Sequence, residues 1–142
     1  MPLDLSVFQS LIGKRDAFPV AKLVGFWLAD LRKGVAVFEM EAGPQHHNPM
    51  GTVHGGVYCD LADIAMGWAY YSTLEEGELF TALELKINFL RAVRTDKLTA
   101  EARLVKGGRN VGLVECDIKD SQGRLVARAS STLMTQRGDQ GK

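Results

Sequence analysis

From His54 to Ser72 the apolar residues recur on a helical period: Val57, Leu61, Ala65, Trp68 and Tyr71 share one stripe, and Tyr58, Ile64 and Ala69 widen it. A helix this broadly apolar is buried along most of its length, so the rest of the chain has to wrap around it. What surrounds it reads as strands. Residues 22–30 and 35–41 are dominated by β-branched and aromatic residues, with Arg32-Lys33-Gly34 as a hairpin turn between them. After the acidic turn Glu75-Glu76-Gly77-Glu78, Leu83, Leu85, Ile87 and Phe89 alternate with Glu84, Lys86 and Asn88. Similar alternation covers 97–106, 111–119 and 124–135, punctuated by Gly107-Gly108 and by Asp120-Ser121-Gln122-Gly123. In chain order these last four strands predict an antiparallel meander.

Leu3, Val7, Phe8, Leu11 and Ile12 predict a short amphipathic helix that stops at Gly13, inside an N-terminal helical segment spanning 1–18. Residues 137–142 are predicted to be a flexible tail. The element order lacks the βαβ alternation that a parallel sheet requires. The fold class is therefore α+β: one antiparallel β-sheet wrapped around a long central α-helix, in a single domain over residues 1–142. A chain of 142 residues is long enough for one such core and short for two.

Seventeen basic residues balance seventeen acidic ones, so no net field draws the molecule to nucleic acid or to an anionic membrane. The balance hides an asymmetry: residues 1–85 carry 5 basic and 11 acidic side chains, residues 86–142 carry 12 and 6. A small anionic ligand held by the second half fits that distribution. Cys59 and Cys116 lack CxxC spacing, and Met1-Pro2-Leu3-Asp4 lacks the pattern of a secretory signal, which together predict a cytoplasmic protein. No apolar run approaches the ~18 residues of a membrane span.

The stretch richest in chemistry is Asn48-Pro49-Met50-Gly51-Thr52-Val53-His54-Gly55-Gly56, which runs straight into the long helix. A helix start leaves backbone N–H groups unpaired and carries partial positive charge, and adjacent glycines let a ligand oxygen approach them closely. Asp60 and Asp63 lie further along the same helix. A carboxylate beside an apolar stripe is either exposed or functional, because burying it unpaired is costly; periodicity does not choose between the two.

Suppose the Gly55 N–H polarises a carbonyl while Asp63 attacks it or activates water. The two groups must then lie within about 6–7 Å of each other. Eight residues of helix separate them by about 12 Å. The pairing therefore requires a two-fold dimer in which one helix start faces the middle of the partner's helix.

Other chemistries fit less well. His46, His47 and His54 lack the spacing of a metal site, no G-x-S-x-G elbow is present, and Gly107–Gly112 lacks the Lys-Ser/Thr of a phosphate loop. That glycine cluster reads as a hairpin turn, with Arg109 placed to touch a phosphate.

Asn48, then His54-Gly55-Gly56, then Leu61-Ala62-Asp63, then Glu84-Leu85-Lys86-Ile87-Asn88-Phe89-Leu90-Arg91 together resemble the hotdog-fold acyl-CoA thioesterases of the PaaI-like (phenylacetyl-CoA and 4-hydroxybenzoyl-CoA thioesterase) group. The resemblance covers about residues 20–136. It implies an antiparallel sheet curled around a long helix, assembled as a homodimer and often a homotetramer. It implies Asp63, rather than Asp60, as the catalytic carboxylate, with the Gly55 N–H on the thioester oxygen. Asn48 would orient the thioester or water, His54 would support the loop and the carbonyl, and Gly56 and Thr81 would sit against substrate. Arg91, Lys106, Arg109 and Arg128 are the candidates for the phosphates of coenzyme A. Ala92 stands where a proline is common.

No metal or cofactor is implied, since coenzyme A is part of the substrate. Two other readings share these residues: an acyl-CoA hydratase or dehydratase using His54 and Asp63, and a non-catalytic acyl-CoA binder. Trp27, Phe38, Trp68, Tyr70, Tyr71 and Phe80 are available for an acyl pocket or for the core.

Overall fold

The computed structural model describes residues 1–138. Two short helices, α1 (Leu5–Gln9) and α2 (Pro19–Val24), lead into β1 (Phe26–Arg32) and β2 (Val35–Ala42). The long helix α3 (Gly55–Tyr71) follows, then β3 (Glu78–Phe89), β4 (Asp96–Gly107), β5 (Val111–Lys119) and β6 (Leu125–Arg137). All six strands form one antiparallel sheet in the order β1-β2-β4-β5-β6-β3. The sheet curls around α3, which buries Tyr58, Leu61, Ala62, Ala65, Met66 and Ala69 against its inner face. Phe38, Met40, Leu98, Val114, Ile118 and Leu133 are buried on that face, and removing their apolar area from water stabilises the fold.

The sequence expectation fails in three places. The strand predicted over 22–30 begins only at Phe26, because residues 19–24 form α2. Pro19 at the first helical position and Gly25 in the left-handed conformation (φ 94°) just beyond its end are the ordinary markers of such a helix. The four-strand meander is also corrected: β4, β5 and β6 follow one another, but β3 pairs with β6 at the sheet edge. The chain leaves the sheet at β2, crosses its concave face as α3 and re-enters on the far side, so β4 returns beside β2. Strand neighbours so far apart in sequence are chosen by wrapping the helix, not by local pattern. Finally, Arg137, placed in the tail predicted over 137–142, still belongs to β6; residues 139–142 lie outside the described residues.

The two sheet edges differ. Along β1, the Gly13 N–H donates to Leu28 O at 2.8 Å and Gln9 Nε2 donates to Leu31 O at 2.8 Å, so the N-terminal segment occupies that edge. The β3 edge runs for 12 residues and exposes Leu79 and Leu83 at 61% and 53%. Native proteins rarely leave a long apolar edge uncovered. Among the described residues, no helix is long and apolar enough to cross a membrane.

Candidate active site

The loop before α3 is held by Asn48. Its Oδ1 accepts from the Met50 N–H at 2.9 Å and the Thr52 N–H at 3.2 Å, and its Nδ2 donates to Thr52 Oγ1 at 3.0 Å. This turn, together with the Val53 N–H donating to Val93 O at 2.8 Å, ties the helix start to the segment after β3. His54 is the N-cap: its Nδ1 accepts from the Gly56 N–H at 2.9 Å, so the proton of the neutral ring sits on Nε2. Its carbonyl accepts from the Val57 N–H at 3.0 Å. The Gly55 N–H comes immediately before these two capped amides, and among the described residues no acceptor takes it. It is an orphan donor at the positive end of a 17-residue helix.

The other two histidines are engaged elsewhere. His46 accepts from the Gly43 N–H at 3.1 Å through Nδ1 and bonds Val24 O at 2.7 Å through Nε2, while His47 Nε2 bonds Arg94 O at 2.7 Å.

A cleft of about 510 Å³ opens over this helix start, lined among others by Asn48, Gly55, Tyr58, Phe89 and Arg91. Phe89 covers Gly55 so closely that a Cβ there would stand 2.9 Å from its ring, which explains why this position takes glycine. About three turns further along α3, Gly67 plays the same part for Phe80, at 3.0 Å. Strand β3 therefore lies along one side of the helix, with Phe89 at its start and Phe80 near its end. A mid-helix glycine is the sequence signal for such close approach.

Gly56, Asp60 and Asp63 follow one another along the less buried side of α3. The Asp63 side chain is open to solvent in the protomer, yet the protein massed around it raises its carboxyl above the usual range, and the charge of Asp60 adds to the rise. Asp63 is not in the lining of the cleft of its own protomer, but a carboxylate so perturbed is the kind of group that active sites hold.

Not every predicted site residue meets here. Thr81 pairs with Met134, and its neighbours Phe80 and Ala82 pair with the buried Thr135 and Leu133. Alternation therefore puts Thr81 on the outer face and Ala82 on the face toward α3. A β-bulge between Ala82 and Glu84 then re-phases the strand, so Leu85, Ile87 and Phe89 point inward while Leu83 does not share their face. Lys106 and Arg109 flank the β4–β5 turn beside Gly112, which packs on Tyr70 at the far end of α3, about 20 Å or more from Gly55 within one protomer. Arg128 is bound to Asp117 through its Nε at 2.7 Å, in a cluster with Lys86, Asn88 and Glu115 away from the cleft.

The basic groups that do flank the cleft are Arg91, in its lining, and Arg94, beside Thr52 and Ala92 in an adjoining depression. Sequence reasoning missed Arg94, Thr52 and Tyr58. Nothing in the pattern marks the first two, and Tyr58 reads simply as part of the buried stripe.

Residues 50–127 match the family model described as the thioesterase superfamily. The 1,4-dihydroxy-2-naphthoyl-CoA hydrolase of Listeria monocytogenes is 27% identical over 80% of this chain and 93% of its own length. The crystal structure of thioesterase HI1161 from Haemophilus influenzae superposes with a TM-score of 0.84 at 25% identity, covering 99% of this chain and 96% of that one. The E. coli PaaI protein, from the phenylacetic acid degradation operon, superposes at 0.80 with 29% identity, covering 87% and 88%. One curled antiparallel sheet around one long helix is the arrangement these structures share with it, and the chain belongs to the thioesterase superfamily as a hotdog-fold hydrolase of thioesters.

Proposed function

We propose that this protein hydrolyses the thioester of an aryl or medium-chain acyl-CoA, in a site shared across a homodimer. The observation that carries this reading is the orphan Gly55 N–H at the start of α3, opening into a cleft at the end of a helix that also bears Asp63, whose carboxyl is raised above the usual range. The amide and the helix-end field stabilise the oxyanion that develops as the thioester carbonyl is attacked. Asp63 either attacks the carbonyl carbon itself or takes a proton from the water that does so. The C–S bond breaks, coenzyme A leaves as the thiol and the acyl group leaves as the acid. No metal or further cofactor enters this sequence of steps. Asn48 holds the loop, and its second Nδ2 proton is directed to the thioester or the water. His54 fixes the helix start through its cap, and Gly56 follows on the same turn.

The Listeria relative's name supports a CoA thioester as substrate. Arg91 and Arg94 bind its phosphates: Arg91 forms no ion pair among the described residues, and Arg94 reaches only Gly51 O, at 3.4 Å. The open β3 edge supports the dimer, since pairing two copies there covers it and lays the two long helices side by side. Gly55 of one protomer then meets Asp63 of its partner, a match that about 12 Å of helix denies to a single chain. The hydratase reading is disfavoured because His54 Nδ1 is committed to the Gly56 N–H and Nε2 already carries the ring proton.

The test is release of free thiol from a panel of acyl-CoAs, followed with a thiol-reactive dye. Asp63→Asn lowers turnover by ~10²-fold or more, equivalent to about 2.7 kcal/mol of transition-state stabilisation, and leaves the oligomer folded. Unchanged thiol release by the variant refutes the role of Asp63.

A further inference from the structure

Tyr58 sits one turn into α3 from Gly55 and lines the cleft, yet it is only 4% exposed. Its hydroxyl is closed from solvent and has no hydrogen-bond partner among the described residues. A phenylalanine would fill the same space without stranding a polar group, so the oxygen is a liability to the folded protomer unless something arrives to pair with it. Its neighbour across the cleft is Phe89, whose ring is tilted 47° to it at 6.0 Å between centroids and is itself 54% exposed. Phe89 is the wall between the cleft and the phenol, and its exposed side leaves the ring room to turn aside for a bound group.

We propose that Tyr58 is a specificity-determining residue of this site, and that its hydroxyl pairs with an oxygen carried by the acyl group, a hydroxyl or an oxo group about one aromatic ring beyond the thioester carbonyl. The placement follows from the helix. With the carbonyl oxygen on the Gly55 N–H, a residue three positions on lies one turn deeper along the same wall, about 4.5 Å of axial rise away. A rigid acyl group running inward from that carbonyl carries its far end toward the phenol. A site that strands a polar group discriminates strongly against an analogue that leaves it unpaired. The inference rests on the acyl-CoA reading above for the identity of the ligand, but not on which residue performs the hydrolysis.

The experiment compares 4-hydroxybenzoyl-CoA with benzoyl-CoA on the wild-type protein and on Tyr58→Phe, with circular dichroism confirming the fold of the variant. In parallel, calorimetry measures binding of the non-hydrolysable pair 4-hydroxyphenacyl-CoA and phenacyl-CoA. The wild type is expected to prefer the hydroxylated ligand by ~10-fold or more in both kcat/KM and Kd. Tyr58→Phe is expected to abolish the preference by weakening only the hydroxylated ligand, with the unsubstituted one held within about threefold. If neither thioester is hydrolysed but the binding preference exists and disappears in Tyr58→Phe, the role of Tyr58 stands and the hydrolytic reading fails. The proposal is overturned if the wild type shows no preference in binding, if Tyr58→Phe keeps the preference, or if the variant weakens both ligands equally.

Discussion

Gly112 in β5 offers the sharpest test of how the sheet grips the helix. A Cβ at this position would stand 2.5 Å from Tyr70 Cε2, 3.1 Å from Tyr70 Cδ2 and 3.3 Å from Leu104 Cδ1. Carbon atoms settle about 3.5–4.0 Å apart, so in Gly112→Ala the Tyr70 ring has to retreat by roughly 1 Å. It has nowhere easy to go: Tyr70 is 2% exposed, and its hydroxyl shares a 2.7 Å hydrogen bond with the buried Thr135 Oγ1. Overpacking of this kind costs about 1–3 kcal/mol. Losing the buried hydrogen bond adds about 0.5–1.5 kcal/mol, and the lower entropy of the unfolded alanine chain returns about 0.4–1 kcal/mol. At the middle of these ranges the net is a loss of about 2–3 kcal/mol.

For a chain of this size that lowers Tm by roughly 6–12 °C. Urea unfolding followed by tryptophan fluorescence, at fixed protein concentration, measures it. In a Tyr70→Phe background the hydrogen bond is already absent, so the cost of Gly112→Ala should shrink by about that bond's share. A Gly112→Ala protein within about 0.5 kcal/mol of wild type would show that the ring is not held as described.

Three further outcomes follow from the site. Because the Asp63 carboxyl is raised in the folded state, its ionisation disfavours folding: the penalty is absent below the ordinary carboxylate pKa, grows as pH rises through the folded value, and is constant above it. Asp63→Asn should therefore raise Tm at pH 7 and match wild type near pH 3, while wild-type turnover should fall as pH drops through that raised value; a variant less stable than wild type at pH 7 contradicts the desolvation. His54→Ala removes the acceptor of the Gly56 N–H and should cost about 1 kcal/mol in denaturant unfolding. Leu83→Lys places a charge at the exposed bulge of the β3 edge and should give a folded protomer by sedimentation with little thiol-releasing activity, whereas an active monomer removes the case for a shared site.

Local periodicity was enough to define α3, with its bounds within one residue of His54–Ser72, and to place most strands, because a buried helix and a half-buried strand repeat their apolar residues at different intervals. It was also enough to pick out the His54-Gly55-Gly56 helix start, since the apolar helical period begins directly after the glycines. What only the tertiary structure decided were relations between distant segments. These include β3 lying beside β6, the bulge that turns Thr81 outward and Ala82 inward, and the separation of Lys106, Arg109 and Arg128 from the cleft that Arg91 and Arg94 flank. Tyr58 shows the same division within one residue: the apolar stripe requires its ring, while the isolation of its hydroxyl depends on every chain segment packed around it. Hydrophobic period is a property of neighbours in sequence, whereas strand order, register and hydrogen-bond satisfaction belong to the closed sheet.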